Sequence, residues 1–204
     1  MESRIINLLF FPFIILILTA LIVIQNFHVI TNEDSVMYIY LKNAVQGRFG
    51  GGYSQTGNNV SFAGLEPGDL ILGAYGNGTF GYFSHAGIYA GDGLVLESYL
   101  DYGVTEHHVS SFRKFNDICL LRVNADPEVK AAAVEYVRQM KGRLFYPVAF
   151  KPGESFFNCT KIMWKAYMGQ GIDLTPVDDL WIAPDAFYSS PMVTIIKEPV
   201  HKKG

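Results

Sequence analysis

The sequence predicts an α+β domain, a small antiparallel sheet or barrel packed by one cysteine-bearing helix, preceded by a single N-terminal transmembrane helix. Three patterns predict it. Short apolar runs separated by Gly, Asp and Asn recur between Leu70 and Val123, with the spacing of antiparallel strands. Asn158-Cys159-Thr160 opens a segment with helical periodicity. Ile5 to Ile24 is a run of about twenty residues, interrupted only by Asn7, Pro12 and Thr19, which is the length of a bilayer-spanning helix.

In chain order, residues 1–30 read as the anchor. Arg4 precedes the apolar run, and Glu33 and Asp34 follow it, so the positive-inside tendency puts the domain outside the cytoplasm, a single-pass arrangement. A cleaved signal peptide fits less well, because the run is long and no small-x-small site follows it closely. Residues 31–60 read as a juxtamembrane helix and a Gly-rich linker. Val36, Tyr40 and Ala44 have helical spacing, Ser35 or Asp34 can cap them, and Gly50 to Val60 is rich in Gly, Asn and Ser.

Residues 61–204 form the domain. Strands are predicted at Leu70–Ala74, Ser84–Ala90, Leu94–Tyr99, Val104–Val109 and Ile118–Val123. The segment from Tyr75 to Phe83 reads as a flexible lip. A helix from Pro127 to Lys141 ends at Gly142, and a second runs from Cys159 to Met168. Asp173–Asp185 reads as a loop, and β-branched Met192–Ile196 as a last strand.

Composition narrows the function. The 204 residues are 50% hydrophobic and carry a net charge of −3, with no block of Lys or Arg. Nucleic acid is therefore not an expected partner, because phosphate contacts need clustered cations. Of the two cysteines, Cys119 lies in a predicted core strand, and no disulfide is expected with Cys159 at a helix start. Asn59-Val60-Ser61 and Asn77-Gly78-Thr79 match the glycosylation pattern, a match common by chance.

The chemistry centres on three residues. Asn158 is a good N-cap, and a thiol at the first helical position meets unpaired N–H groups and the positive end of the helix dipole; Lys161 adds a nearby cation. Taken alone, Cys159 is equally well a core filler. His85 begins a buried strand. A three-residue hairpin loop, Gly91-Asp92-Gly93, would pair Ala90 with Leu94, Gly87 with Glu97 and His85 with Tyr99. Glu97 is then a diagonal neighbour of His85 at about 7–8 Å along the backbone. Gly87 leaves room for their contact, and the carboxylate can hold the imidazole. His107 or His108 is the alternative third group. As neighbours on a strand they point to opposite faces, and surface histidines are a simpler reading than a metal site.

Gly68-Asp69-Leu70-Ile71, Ser84-His85-Ala86-Gly87-Ile88-Tyr89, Gly91 to Glu97, Asn158 to Tyr167 and Leu174 to Leu180 together resemble the permuted papain-like amidases. These are the YiiX/YebB-like branch of the NlpC superfamily of cysteine hydrolases. The chain departs from the group's frequent Ser-Glu after the cysteine, having Thr160-Lys161. The resemblance implies a circularly permuted papain-like fold and a Cys–His pair with a polar third residue. By position these are Cys159, His85 and Glu97.

The implied function is a membrane-anchored cysteine hydrolase that opens a peptide-like, cell-wall or γ-glutamyl amide through an acyl-enzyme. Asn158 and Tyr146 are expected near the substrate, Tyr146 as a hydroxyl donor. No cofactor and no metal are expected. Two alternatives stay open: a lipid-directed acyltransferase or thioesterase of the lecithin:retinol acyltransferase-like type, and a silent membrane-tethered binding module.

Overall fold

The computed structural model describes residues 2–48, 56–76, 78–147, 149–175 and 177–201, with the side chains of the first helix described from Phe10 onward. Three helices lead the chain: α1 (Glu2–Gln25), α2 (Phe27–Thr31) and α3 (Val36–Val45). Five strands follow: β1 (Leu70–Ala74), β2 (His85–Gly91), β3 (Leu94–Tyr99), β4 (Gly103–His108) and β5 (Asp117–Val123), with a 3₁₀ turn at Val109–Lys114 before β5. Helices α4 (Pro127–Gln139), α5 (Cys159–Met168) and α6 (Pro184–Tyr188) precede the last strand, β6 (Val193–Lys197).

The expected transmembrane anchor is corrected. Among the described residues no helix is long and apolar enough to cross a membrane. With the anchor goes the single-pass membrane localisation that rested on it.

The strands form one open antiparallel sheet of order β4-β3-β2-β1-β5-β6, not a barrel. β1 lies inside it and is buried along its whole length, which accounts for its unbroken Leu-Ile-Leu-Gly-Ala run. Leu70, Leu72, Ala86, Ile88 and Leu96 meet α4 and α5 on one face. Ile71, Val95, Ile118 and Leu120 meet Phe112 of the 3₁₀ turn and Phe115 just after it on the other. The sheet is thus covered on both faces, and each side chain's face follows from its parity along the strand.

Asp69, just before β1, is fully buried. It pairs with Arg122 at 3.0 Å and with Lys130 of α4 at 3.1 Å. The Tyr167 hydroxyl of α5 donates to the Gly68 carbonyl. The Gly68-Asp69 motif therefore ties the sheet to both helices that cover it.

The Tyr75–Phe83 lip is pinned, not flexible, where it is described. The Tyr82 and Phe83 amides donate to the Asp185 carboxylate at 3.1 and 2.9 Å, and the Tyr82 hydroxyl donates to Asp117 at 2.7 Å. Asn77, in one glycosylation match, lies outside the described residues, as do residues 49–55 of the Gly-rich stretch. From Thr56 the chain is held on the domain, with the Asn58 amide group donating to the Phe112 and Phe115 carbonyls. Helix α3 also packs against the domain: the Val36 amide donates to Asp179 at 2.6 Å, and Tyr40 stacks on Phe80 at 5.3 Å.

Candidate active site

Cys159 is the first residue of α5, and Asn158 caps the helix as its residue type predicts. The Asn158 side-chain oxygen accepts from the Thr160 and Lys161 amides at 3.2 and 2.7 Å and from the Thr160 hydroxyl at 2.9 Å. The thiol thus sits where amide N–H groups and the helix dipole favour an anion. Cys159 is buried, and neither cysteine is in a disulfide.

His85 opens β2 and is buried. Its Nε2 lies 2.9 Å from Glu97 Oε2. An ionised carboxylate only accepts, so Nε2 carries the proton that faces it, which leaves Nδ1 for Cys159. The imidazole lies between Tyr99 and Phe115, nearly parallel to both, at centroid distances of 4.3 and 5.7 Å. Burial alone pushes the His85 pKa down; the interactions with Cys159 and Glu97 outweigh it and raise the value to about 9. Burial likewise pushes the Glu97 carboxyl up, and its bonds to His85 and His107 reverse this, leaving it below its ordinary value.

The hairpin delivers Glu97 by a slightly different route from the one predicted. Gly87 pairs with Glu97 as expected, but Leu94 pairs with Gly91 and not Ala90, through a bulge between Tyr89 and Gly91. The loop is the two residues Asp92 and Gly93, both at positive φ (52° and 74°), as a type I′ turn requires. A two-residue loop alone would turn Glu97 to the opposite face. The bulge restores the missing residue, and the face is kept. The space beside Gly87 also serves another purpose than expected: a Cβ there would stand 2.8 Å from Val95 Cγ2 and 3.1 Å from Phe112 Cζ. Glycine lets the second core close over the strand.

Other predicted residues lie elsewhere. Lys161 is buried and donates to the Pro152 carbonyl at 3.1 Å. Tyr146 packs its ring edge-on against Phe156 at 4.3 Å. It does not line the cavity of about 130 Å³ at Cys159, which is formed by Val36, Phe80, Ser84, Phe145, Asn158 and Trp181 among others. His108 bonds Ser110, whereas His107 Nδ1 lies 2.7 Å from Glu97 Oε1. His107 therefore stands behind Glu97 and does not replace it. The β3–β4 register is the signal that reveals this, because Val95 pairs with His107 and Glu97 with Thr105, which puts His107 on Glu97's face.

The match to known structures is one of fold. The crystal structure of metalloprotein YiiX from Escherichia coli O157:H7 aligns with a TM-score of 0.56 at 13% identity, over 65% of this chain and 97% of that one. The fold is YiiX-like. No protein-family model matches the chain, and no curated protein matches it. The YiiX-like domain here offers no evident metal set, since among the described residues no three His, Cys, Asp or Glu side chains group as ligands. Both Glu97 oxygens already face imidazoles.

Proposed function

We propose that this chain is a cysteine hydrolase that opens an amide bond through an acyl-enzyme. The observation that carries the reading is Cys159 at a capped helix start beside His85, with the other nitrogen of that imidazole held by a buried carboxylate. Each part has a chemical purpose in that reaction and little purpose in a packed core.

His85 takes the thiol proton and stays an imidazolium. The Cys159 thiolate attacks the amide carbonyl carbon, and the negative charge moves to the carbonyl oxygen. Asn158 occupies the Thr160 and Lys161 amides, so the Cys159 amide is the helix-start donor left for that oxygen. The C–N bond then breaks as the imidazolium gives its proton to the leaving amine, and a thioester remains. Neutral His85 next takes a proton from water, whose oxygen attacks the thioester and releases a carboxylic acid and the thiol. Glu97 keeps Nε2–H in place throughout and offsets the imidazolium charge. The cavity beside the thiol is small and lined by aromatic rings, which suits a compact acyl group.

The test is turnover of short peptide amides beside matched esters, with intact mass recorded during reaction. Expected are an acyl adduct on Cys159 and a loss of about 10³-fold or more in Cys159→Ala. Turnover that survives in Cys159→Ala would remove the scheme.

A further inference from the structure

The scheme above uses one of the two histidines that Glu97 holds. Glu97 is fully buried. Its Oε2 faces His85 Nε2 at 2.9 Å and its Oε1 faces His107 Nδ1 at 2.7 Å. Because the carboxylate can only accept, His107 also presents an N–H to it. The torsion that turns a carboxylate is broad and roughly two-fold, so the side chain's own preference does not say where Oε2 points. A donor on Oε1 does. Ser111 Oγ reaches Oε1 only at 3.4 Å, so His107 is the close anchor on that oxygen.

His107 is placed to hold that contact from outside. Its side chain is 39% exposed, against 8% for His85 and 0% for Glu97. It lines an open cavity of about 530 Å³ with Tyr99, Tyr102, Ser111 and Lys114. A hydrogen-bonded line, His85–Glu97–His107, thus runs from the histidine of the proposed pair to a second opening in the surface.

We infer that His107 is a positioning residue for the Cys159–His85 pair, its Nδ1–H fixing the Glu97 carboxylate in the rotation that presents Oε2 to His85. The use of that arrangement in catalysis rests on the hydrolase reading. The groups that face it are His85 from β2, Tyr99 from β3, His107 from β4 and Lys114 from the 3₁₀ turn, with Cys159 of α5 beyond His85. Without His107 only the long Ser111 contact remains on Oε1, so the carboxylate can turn toward Lys114 and His85 loses a fixed partner.

The experiment is an NMR titration of the His85 ring in the full chain, in wild type, His107→Asn, His107→Gln and His107→Ala, with Cys159 alkylation at pH 7 and thermal unfolding recorded on each. Asparagine carries its N–H close to the position of histidine Nδ1, whereas glutamine carries it one bond further out. Expected is a wild-type midpoint near pH 9 that persists in His107→Asn and falls in His107→Gln and His107→Ala, with Cys159 alkylation about tenfold slower in the last two. Should His107→Ala not fold, the contrast between asparagine and glutamine decides. An elevated wild-type midpoint that stays put in all variants overturns the inference and leaves the hydrolase reading standing. An ordinary wild-type midpoint near 6.5 with an unreactive thiol overturns both.

Discussion

At the scale of single residues, the account depends on one buried charge pair, and its pH dependence follows from the two shifts. His85 is raised to about 9 from an ordinary 6.5. Its contribution to stability is therefore complete below about 6.5 and is lost as pH rises through about 9. Glu97 is held below its ordinary 4.5, so its contribution is present above that value and is lost as pH falls through the depressed one. Thermal unfolding should then show a plateau between these limits, and His85→Ala should remove the fall on the alkaline side. Hydrolysis needs the imidazolium as acid, so its rate should also fall as pH rises through about 9. In Glu97→Gln that limb should move toward neutrality and the rate should drop about 10²-fold or more, measured as kcat/KM against pH. The meeting of Glu97 with His85 and the place of Cys159 at a helix start are legible in the sequence, because a hairpin register and a helix cap are local features. The direction of the Lys161 side chain is not legible, because it depends on the loop around Pro152, which no local pattern describes. The role of His107 needs the pairing of a third strand as well as the rotation of the carboxylate.

At the scale of elements, the strands and helices α4 and α5 fall within a residue or two of their predicted bounds, because periodicity, turn residues and caps act within short windows. Helix α6 and the 3₁₀ turn are not legible in the sequence, since five or six residues carry too little period to detect. The bulge was hidden for a different reason: a three-residue loop and a two-residue loop with a bulge place Glu97 on the same face. Two substitutions test how the elements are held. Gly87→Ala forces a methyl against Val95 and Phe112 and should cost about 1–3 kcal/mol, read by denaturant unfolding. Asn158→Ala removes the cap of α5 and should cost about 1–2 kcal/mol while slowing Cys159 alkylation. A cap variant of unchanged stability and unchanged thiol reactivity would show that the helix start is not what prepares Cys159.

At the scale of the whole molecule, the sheet order and the seat of α3 join parts far apart in sequence, which patterns along the chain do not encode. Val36 binds Asp179 and lines the cavity at Cys159, so a helix that reads as juxtamembrane from sequence forms a wall of the site. The α3 amides should accordingly exchange slowly with solvent, and Asp179→Ala should speed their exchange. The apolar N-terminal run illustrates the opposite limit. Its composition reads as a membrane anchor, whereas no described helix is long and apolar enough to cross a bilayer. The Gly68-Asp69 motif contributes at this scale too. Asp69→Ala would leave Lys130 buried without its fully buried partner and should cost about 3–5 kcal/mol, the largest loss expected outside the apolar core.

The central claim is that Cys159 and His85 form an activated pair. The direct test is the rate of Cys159 alkylation by iodoacetamide from pH 5 to 9, with the adduct located by peptide mass spectrometry, in wild type and His85→Ala. The account predicts fast labelling of Cys159 well below pH 8 that is slowed in His85→Ala. Slow labelling with the profile of an ordinary thiol near pH 8.5, unchanged by the His85 substitution, would contradict it.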